Sequence, residues 1–143
     1  MRNLIYGLLL ALLLGASAIA ESRPTTLNDL PKAARETIAR HYPEATISHI
    51  EVERSMVGRE WTIYFSDGGY IEFDRNGMWS EAESRRGVPA TLLPKPIRHT
   101  IDERFEGVAV RQIERNRRGY EVELRNGLEL KFSHSGKLLE VED

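Results

Sequence analysis

Trp61-Thr62-Ile63-Tyr64-Phe65-Ser66-Asp67-Gly68-Gly69-Tyr70-Ile71-Glu72-Phe73 alternates large apolar residues with polar or amphipathic ones, breaks at Asp67-Gly68, and then resumes the alternation. A period of two describes strands with one face on a core and the other in water. The Asp-Gly pair predicts a two-residue hairpin turn whose central residues both take positive φ. Upstream, Ile50 and Val52 alternate with Glu51 and Glu53; downstream, Asn76-Gly77 predicts another turn before a short strand near Trp79 to Glu83. The unit is therefore a meander of about four antiparallel strands.

Ahead of these strands the period lengthens. Leu30, Ala34, Ile38 and Tyr42 recur every fourth residue, while Lys32, Arg35, Glu36 and Arg40 fall on the other side, as in a helix with one buried stripe. Asn28 or Asp29 stands where an N-cap acceptor is wanted, Pro31 fits only a first turn, and Pro43 ends the helix. The whole pattern then recurs. Leu93, Ile97, Ile101 and Phe105 draw a second stripe, with Thr91 as the cap, Pro94 and Pro96 in the first turn and Gly107 as the stop. Tyr120, Val122 and Leu124 alternate with Glu121 and Glu123, Asn126-Gly127 turns the chain, and Leu128, Leu130 and Phe132 alternate with Glu129 and Lys131. Ser135-Gly136 leads into a last strand near Leu138 to Glu142. The fold class expected is α+β, a tandem repeat of one helix plus about four antiparallel strands. Aligning Trp61 with Tyr120 leaves the first copy a few residues longer around Ser55 to Gly58, a length that a hairpin tip absorbs cheaply.

The expected organisation is a signal peptide over 1–20, a first repeat over 21–83, a linker over 84–90 and a second repeat over 91–143. Arg2, the apolar run from Leu4 to Leu14 and the small residues of Ala18-Ile19-Ala20 describe a cleavable export signal, too short to span a bilayer, with cleavage between Ala20 and Glu21. The mature protein is thus expected in the periplasm or secreted, with no stable membrane anchor. No cysteine is present, which leaves neither a disulfide nor a lipid attachment site after cleavage. A unit of about 55 residues buries too little apolar surface to offset its ordering cost, so the two are expected to lie as lobes of one domain, merging sheets or packing helix on helix. The net charge of −2 and the lack of a long block of one sign argue against nucleic acid; Arg115, Arg117 and Arg118 around Gly119 read as a solvated turn.

The Leu-Pro helix starts, the Asp-Gly and Asn-Gly turns, and the closing Phe73-Asp74-Arg75-Asn76-Gly77-Met78-Trp79 and Gly127-Leu128-Glu129-Leu130-Lys131-Phe132 segments resemble the PepSY-like family, described as beta-lactamase-inhibitor-like. The resemblance runs from about Thr25 to Asp143. It implies a fold like that of beta-lactamase inhibitor protein, in which helix-plus-sheet repeats present a concave sheet to a partner, and it transfers no catalytic residue. PepSY domains of peptidase propeptides are thought to restrain peptidases, so an inhibitory role is one implied possibility. The disulfides of that inhibitor have no counterpart in a chain without cysteine.

If Trp61, Ile63, Phe65, Ile71 and Phe73 face the helix, then Tyr64, Tyr70 and Glu72 face the other way, with Trp79 beside them. Aromatic residues on a wet sheet face suit protein recognition, although they also favour strands for their own sake. The corresponding positions of the second copy, Glu123, Glu129, Lys131 and Leu138, make the expected face aromatic in one half and charged in the other. His41, His49, His99 and His134 lack the spacing of metal ligands. No nucleophile with a base and an orienting group is legible, and no phosphate-binding loop. Glu81 with Glu83 and Glu140 with Glu142 recur at equivalent places, which favours structure over catalysis. The expected function is a non-enzymatic module without a cofactor that binds a protein or peptide partner and inhibits a peptidase or other envelope enzyme. The alternatives are a periplasmic sensor or carrier of a small molecule or peptide held between the lobes, or an envelope accessory protein.

Overall fold

A computed structural model describes residues 23–143; the export signal read over 1–20 lies outside the described residues. Helix α1 (Lys32–His41) precedes strands β1 (Ile47–Ser55), β2 (Gly58–Phe65), β3 (Tyr70–Phe73) and β4 (Trp79–Glu83). Helix α2 (Lys95–Arg104) precedes β5 (Val110–Asn116), β6 (Gly119–Leu124), β7 (Glu129–Phe132) and β8 (Leu138–Glu142). All eight strands form one antiparallel sheet in chain order, and the two halves meet where Glu81, Ala82 and Glu83 of β4 pair with Glu114, Ile113 and Gln112 of β5. The halves therefore join by sheet extension.

Both helices cover the same side of this sheet. Leu30, Ala34 and Ile38 at α1, and Leu93, Ile97 and Ile101 at α2, belong to one buried cluster with Trp61, Ile63, Phe65, Ile71, Phe73, Ile113, Val122, Leu124, Leu130 and Phe132. Among the described residues no polar or charged side chain is buried in it. Tyr42 packs on the edge of the cluster with its ring stacked 4.5 Å from that of Phe65, and its buried hydroxyl has no hydrogen-bond partner among the described residues. The stretch read as a linker runs against β5: the Ser84 N–H donates to the Arg111 carbonyl (2.9 Å), the Val88 N–H to that of Val110 (2.8 Å), and Val88 is buried. Among the described residues, no helix is long and apolar enough to cross a membrane.

Two local expectations are corrected. The residues taken as N-caps lie in short 3-10 turns, Leu27–Asp29 and Ala90–Leu92, and the helices begin one residue after Pro31 and Pro94, which occupy the cap positions without a side-chain cap. A residue before proline is pushed to extended backbone, and Leu30 and Leu93 at ψ 152° and 134° interrupt the helical path that a cap at Asn28 or Thr91 would need. Asp29 instead accepts the Thr26 N–H at 2.8 Å and pairs with Arg23. Only Pro96 lies inside a first helical turn.

The turns differ as well. Asp67 and Asn126 keep negative φ, and only the following glycines are left-handed, Gly68 at +90° and Gly127 at +91°. The Gly68 N–H returns to the Phe65 carbonyl and the Phe65 N–H donates to that of Gly69, so a four-residue turn ends in a glycine bulge. The same bonding recurs from Leu124 to Leu128, from Asp74 to Met78 and from Ser133 to Lys137. Asn-Gly and Asp-Gly satisfy this turn because it needs positive φ at the glycine alone. The two-residue loops are Met56-Val57 and Arg117-Arg118, each followed by a glycine with φ near +135° (Gly58) or +138° (Gly119).

Candidate functional site

The face of the sheet turned away from the helices is uncovered by any described element. It is assembled by register. One row crosses all eight strands as Glu51, Thr62, Glu72, Glu81, Glu114, Glu121, Lys131 and Glu140, each beside the next. The adjacent row runs His49, Tyr64, Tyr70, Glu83, Gln112, Glu123, Glu129 and Glu142. Alternation places every one of these side chains opposite the core.

Tyr64 and Tyr70 stand side by side at the β2–β3 pair, with ring centroids 5.9 Å apart, and the His49 ring stacks on Tyr64 at 4.5 Å. The Tyr64 hydroxyl donates to Glu51 (3.3 Å), and the Tyr70 hydroxyl is within reach of Glu81 Oε1 (3.0 Å) and Glu83 Oε2 (3.1 Å). Burial and then the charges of Glu81 and Glu83 raise the Tyr70 pKa, so it stays a neutral donor. Arg111 makes two bonds to Glu123 (2.9 and 3.1 Å) and reaches Glu83 (3.3 Å); its bond to Glu123 is the main reason its own pKa is raised. Gln112 Nε2 donates to Glu81 Oε1. At the far edge Lys131 lies between Glu140 (3.1 Å) and Glu142 (3.3 Å).

Glu72 is third in the first row, with Glu81 directly beside it. Burial first, then the charge of Glu81 and a hydrogen bond shared with it, then the charges of Glu60 and Glu114, push the Glu72 carboxyl up to about 7. A raised carboxylate pKa means that the folded state holds a proton the unfolded chain has released. Its contribution is therefore favourable below the ordinary value of 4.5 and is lost as pH rises from there through about 7. Glu72→Gln removes this titration. Thermal unfolding should show the variant gaining on the native protein between pH 5 and pH 8, by about 1–2 kcal/mol once solvent screening of a half-exposed group is allowed for. Parallel curves would show that Glu72 titrates normally.

Tyr64, Tyr70 and Glu72 thus share the uncovered face, but Trp79 does not join them. Counting back by twos from Glu81 puts Trp79 on the same face. A bulge between Glu72 and Phe73 shifts the register by one, so that Trp79 pairs with the core residue Phe73 and packs on the helix side. There its ring lies 6.2 Å from that of Tyr120, under the Arg115 guanidinium at 5.6 Å. A matching shift between Lys131 and Phe132 pairs Leu138 with Phe132, again on the core side. The split into an aromatic half and a charged half is also corrected, because Glu51, Glu72, Glu81 and Glu83 make the first half acidic too. Arg111 escaped sequence reading for the same kind of reason. The bulge between Val110 and Gln112 turns it to the uncovered face, whereas alternation from Ile113 turns it inward.

His41 hydrogen-bonds Thr91 (2.8 Å), His99 pairs with Glu103, and His134 bonds the Arg117 carbonyl, all at separate places. Among the described residues, no group of three or more His, Cys, Asp or Glu is placed to hold a metal ion. The chemistry on offer is hydrogen bonding, ring stacking and attraction of positive charge.

A family model described as "Putative beta-lactamase-inhibitor-like, PepSY-like" matches residues 59–140. Among solved structures, a "putative periplasmic protein of unknown function" from Bacteroides vulgatus is 34% identical, with 85% of this chain and 97% of that chain covered and a TM-score of 0.74. A second Bacteroides vulgatus structure, described as a "putative periplasmic protein from DUF2874 family", is 26% identical over 88% of this chain and 100% of its own, with a TM-score of 0.78. A "putative calcium-regulated periplasmic protein" from Bacteroides thetaiotaomicron is 26% identical over 84% of this chain and 95% of its own, also at 0.78. No curated protein matches the chain. The family match spans more than half of the sequence, and the chain belongs to the PepSY-like, beta-lactamase-inhibitor-like family.

Proposed function

We propose that this chain is a periplasmic, non-enzymatic binding protein that engages a protein or peptide partner through the uncovered face of its sheet. The observation that carries this reading is the continuous eight-stranded platform with Tyr64 and Tyr70 at its surface. Tyrosines held by strands offer contact area and a hydrogen bond at small entropic cost, the usual make-up of a recognition hot spot. Seven strand spacings give a face about 34 Å across, comparable to the footprint of a protein partner. The descriptions of its relatives as periplasmic support the location, as do the features of an export signal in residues 1–20. Inhibition of an envelope enzyme is the form of binding that the family description favours.

The platform arises, in this reading, by tandem duplication. The same order of helix and four strands, the same ten-residue helix length and the same glycine-ended turns support it. The extra length of the first copy lies in the β1–β2 hairpin, which extends two residues further past the Ile50–Ile63 pair than β5–β6 does past Ile113–Val122. The carrier alternative gains no support from the space between the halves, since β4 and β5 are bonded to each other. A groove of about 620 Å³ exists instead at the outer edge, between Pro24–Asn28 and Ile47–Ile50, and is open to solvent.

The test begins with protein immobilised and exposed to a periplasmic extract. A partner retained by the native chain should be lost by a folded Tyr64→Ala, Tyr70→Ala double variant, and calorimetry with that partner should show at least a 30-fold weaker Kd. Equal retention by both would remove the face from the reading. Trp79 fluorescence is unsuited to follow such binding, because its ring lies on the opposite side of the sheet.

A further inference from the structure

The charges of this molecule are segregated. Among the described residues, the strands of the uncovered face carry twelve glutamates, those of the two rows together with Glu53 and Glu60 at the β1–β2 end, against two permanent cations, Arg111 and Lys131. Twelve less two leaves a formal charge of −10 on one side of the sheet. The whole chain is only −2, so everything else is net positive by eight. An overall charge near balance conceals this, because acidic and basic residues alternate with the core along the sequence and separate only when the strands assemble. Each of the two cations on the face is already engaged by carboxylates: Arg111 by Glu83 and Glu123, Lys131 by Glu140 and Glu142.

Arg111 also shows how this surface seats a guanidinium. Its planar head takes two oxygens of Glu123 and one of Glu83, beside the Tyr70 hydroxyl that approaches the other Glu83 oxygen. Toward β1 the rings of Tyr70, Tyr64 and His49 continue the floor, with the Glu51 and Glu81 carboxylates along one side. Ring faces flanked by carboxylates accommodate the flat head and the apolar stem of an arginine, by stacking and by bidentate hydrogen bonds.

Taking the binding role of this face as given, we propose that the partner presents a cationic, arginine-rich protein segment, which lies along the Glu51–Glu140 row with its side chains on the Tyr64–Tyr70 rings. Complementary charge speeds encounter and excludes acidic partners, and it makes the association dependent on salt. A second copy of this chain could offer its positive side to the same face, and that occupant is distinguished in the test.

The experiment uses a dye-labelled deca-arginine peptide as probe, with deca-glutamate as control, and reads fluorescence anisotropy. The native protein should bind deca-arginine and not deca-glutamate, with affinity falling at least tenfold between 20 and 150 mM salt. A Glu51→Gln, Glu72→Gln, Glu121→Gln variant, shown folded by circular dichroism, should bind at least tenfold more weakly. A control with as many acids removed from the helices, Glu36→Gln, Asp102→Asn and Glu103→Gln, should bind as the native protein does. Failure to bind deca-arginine, or equal loss in both variants, overturns the proposal. So does salt-sensitive self-association in sedimentation that the face variant abolishes, which would assign the face to a second copy. If deca-arginine is not bound while a periplasmic partner is still retained in a Tyr64- and Tyr70-dependent way, the cationic inference fails and the binding role stands; if neither is seen, both fail.

Discussion

Phe132→Ala is expected to destabilise the protein by about 4 kcal/mol, and to do so as seen from the half of the molecule that does not contain it. Phe132 is 1% exposed, and removal of a buried phenyl ring forfeits its transfer energy and leaves a cavity, together about 3–5 kcal/mol. Phe73, its counterpart on β3, is equally buried and should cost as much. The informative point is cooperativity. Both tryptophans, Trp61 and Trp79, belong to the first half, but Trp79 packs on Tyr120 and Arg115 of the second, so their fluorescence reports the first half and its junction while circular dichroism reports every strand. Because Ala82 and Ile113 are fully buried neighbours across the β4–β5 pair, and one core runs beneath both helices, unfolding should remain a single transition. Urea denaturation of Phe132→Ala should then shift the fluorescence and dichroism midpoints together. A fluorescence midpoint left at the native value would show that the halves unfold separately.

Gly119→Ala should cost nearly as much, about 3–4 kcal/mol, although it adds a single methyl group at the start of a strand. At φ +138° only glycine is at ease, and an added Cβ would lie 2.1 Å from the Phe132 carbonyl oxygen and 2.7 Å from the Ser133 carbonyl carbon. Those are backbone atoms of the neighbouring strand and cannot step aside without breaking the β6–β7 pairing. Gly58 provides the control. It occupies the corresponding place after the first two-residue loop at nearly the same φ, +135°, but an added Cβ would meet only the Arg75 side chain, at 3.1 Å and beyond. Gly58→Ala should therefore pay for backbone strain alone, about 1–2 kcal/mol. The difference between the two midpoints in the same denaturant isolates the steric part; equal losses would mean that φ alone matters.

Much of the platform was legible because it rests on short-range periodicity. The fourfold spacing of Leu30, Ala34 and Ile38 and the twofold spacing of Trp61, Ile63 and Phe65 each leave one apolar side, and each must be covered. Tyr64, Tyr70 and Glu72 followed as the residues left over. Trp79 and Arg111 did not, since each sits at a bulge where one extra residue reverses the side on which the chain's later side chains emerge. Turn geometry was half legible. The glycines were found, but whether the residue before each is left-handed depends on how the loop closes.

The sequence by itself determined the elements, their order, the core-facing residues away from the bulges and the family pattern, because helix and strand periods, prolines and glycines act within a few residues of one another. Only the tertiary structure decided that β4 pairs with β5 to make one sheet, that Trp79 turns to the core, and that the carboxylates spaced along the chain align into an acidic face. Those outcomes depend on register between strands, and register is set by contacts between residues far apart in the chain.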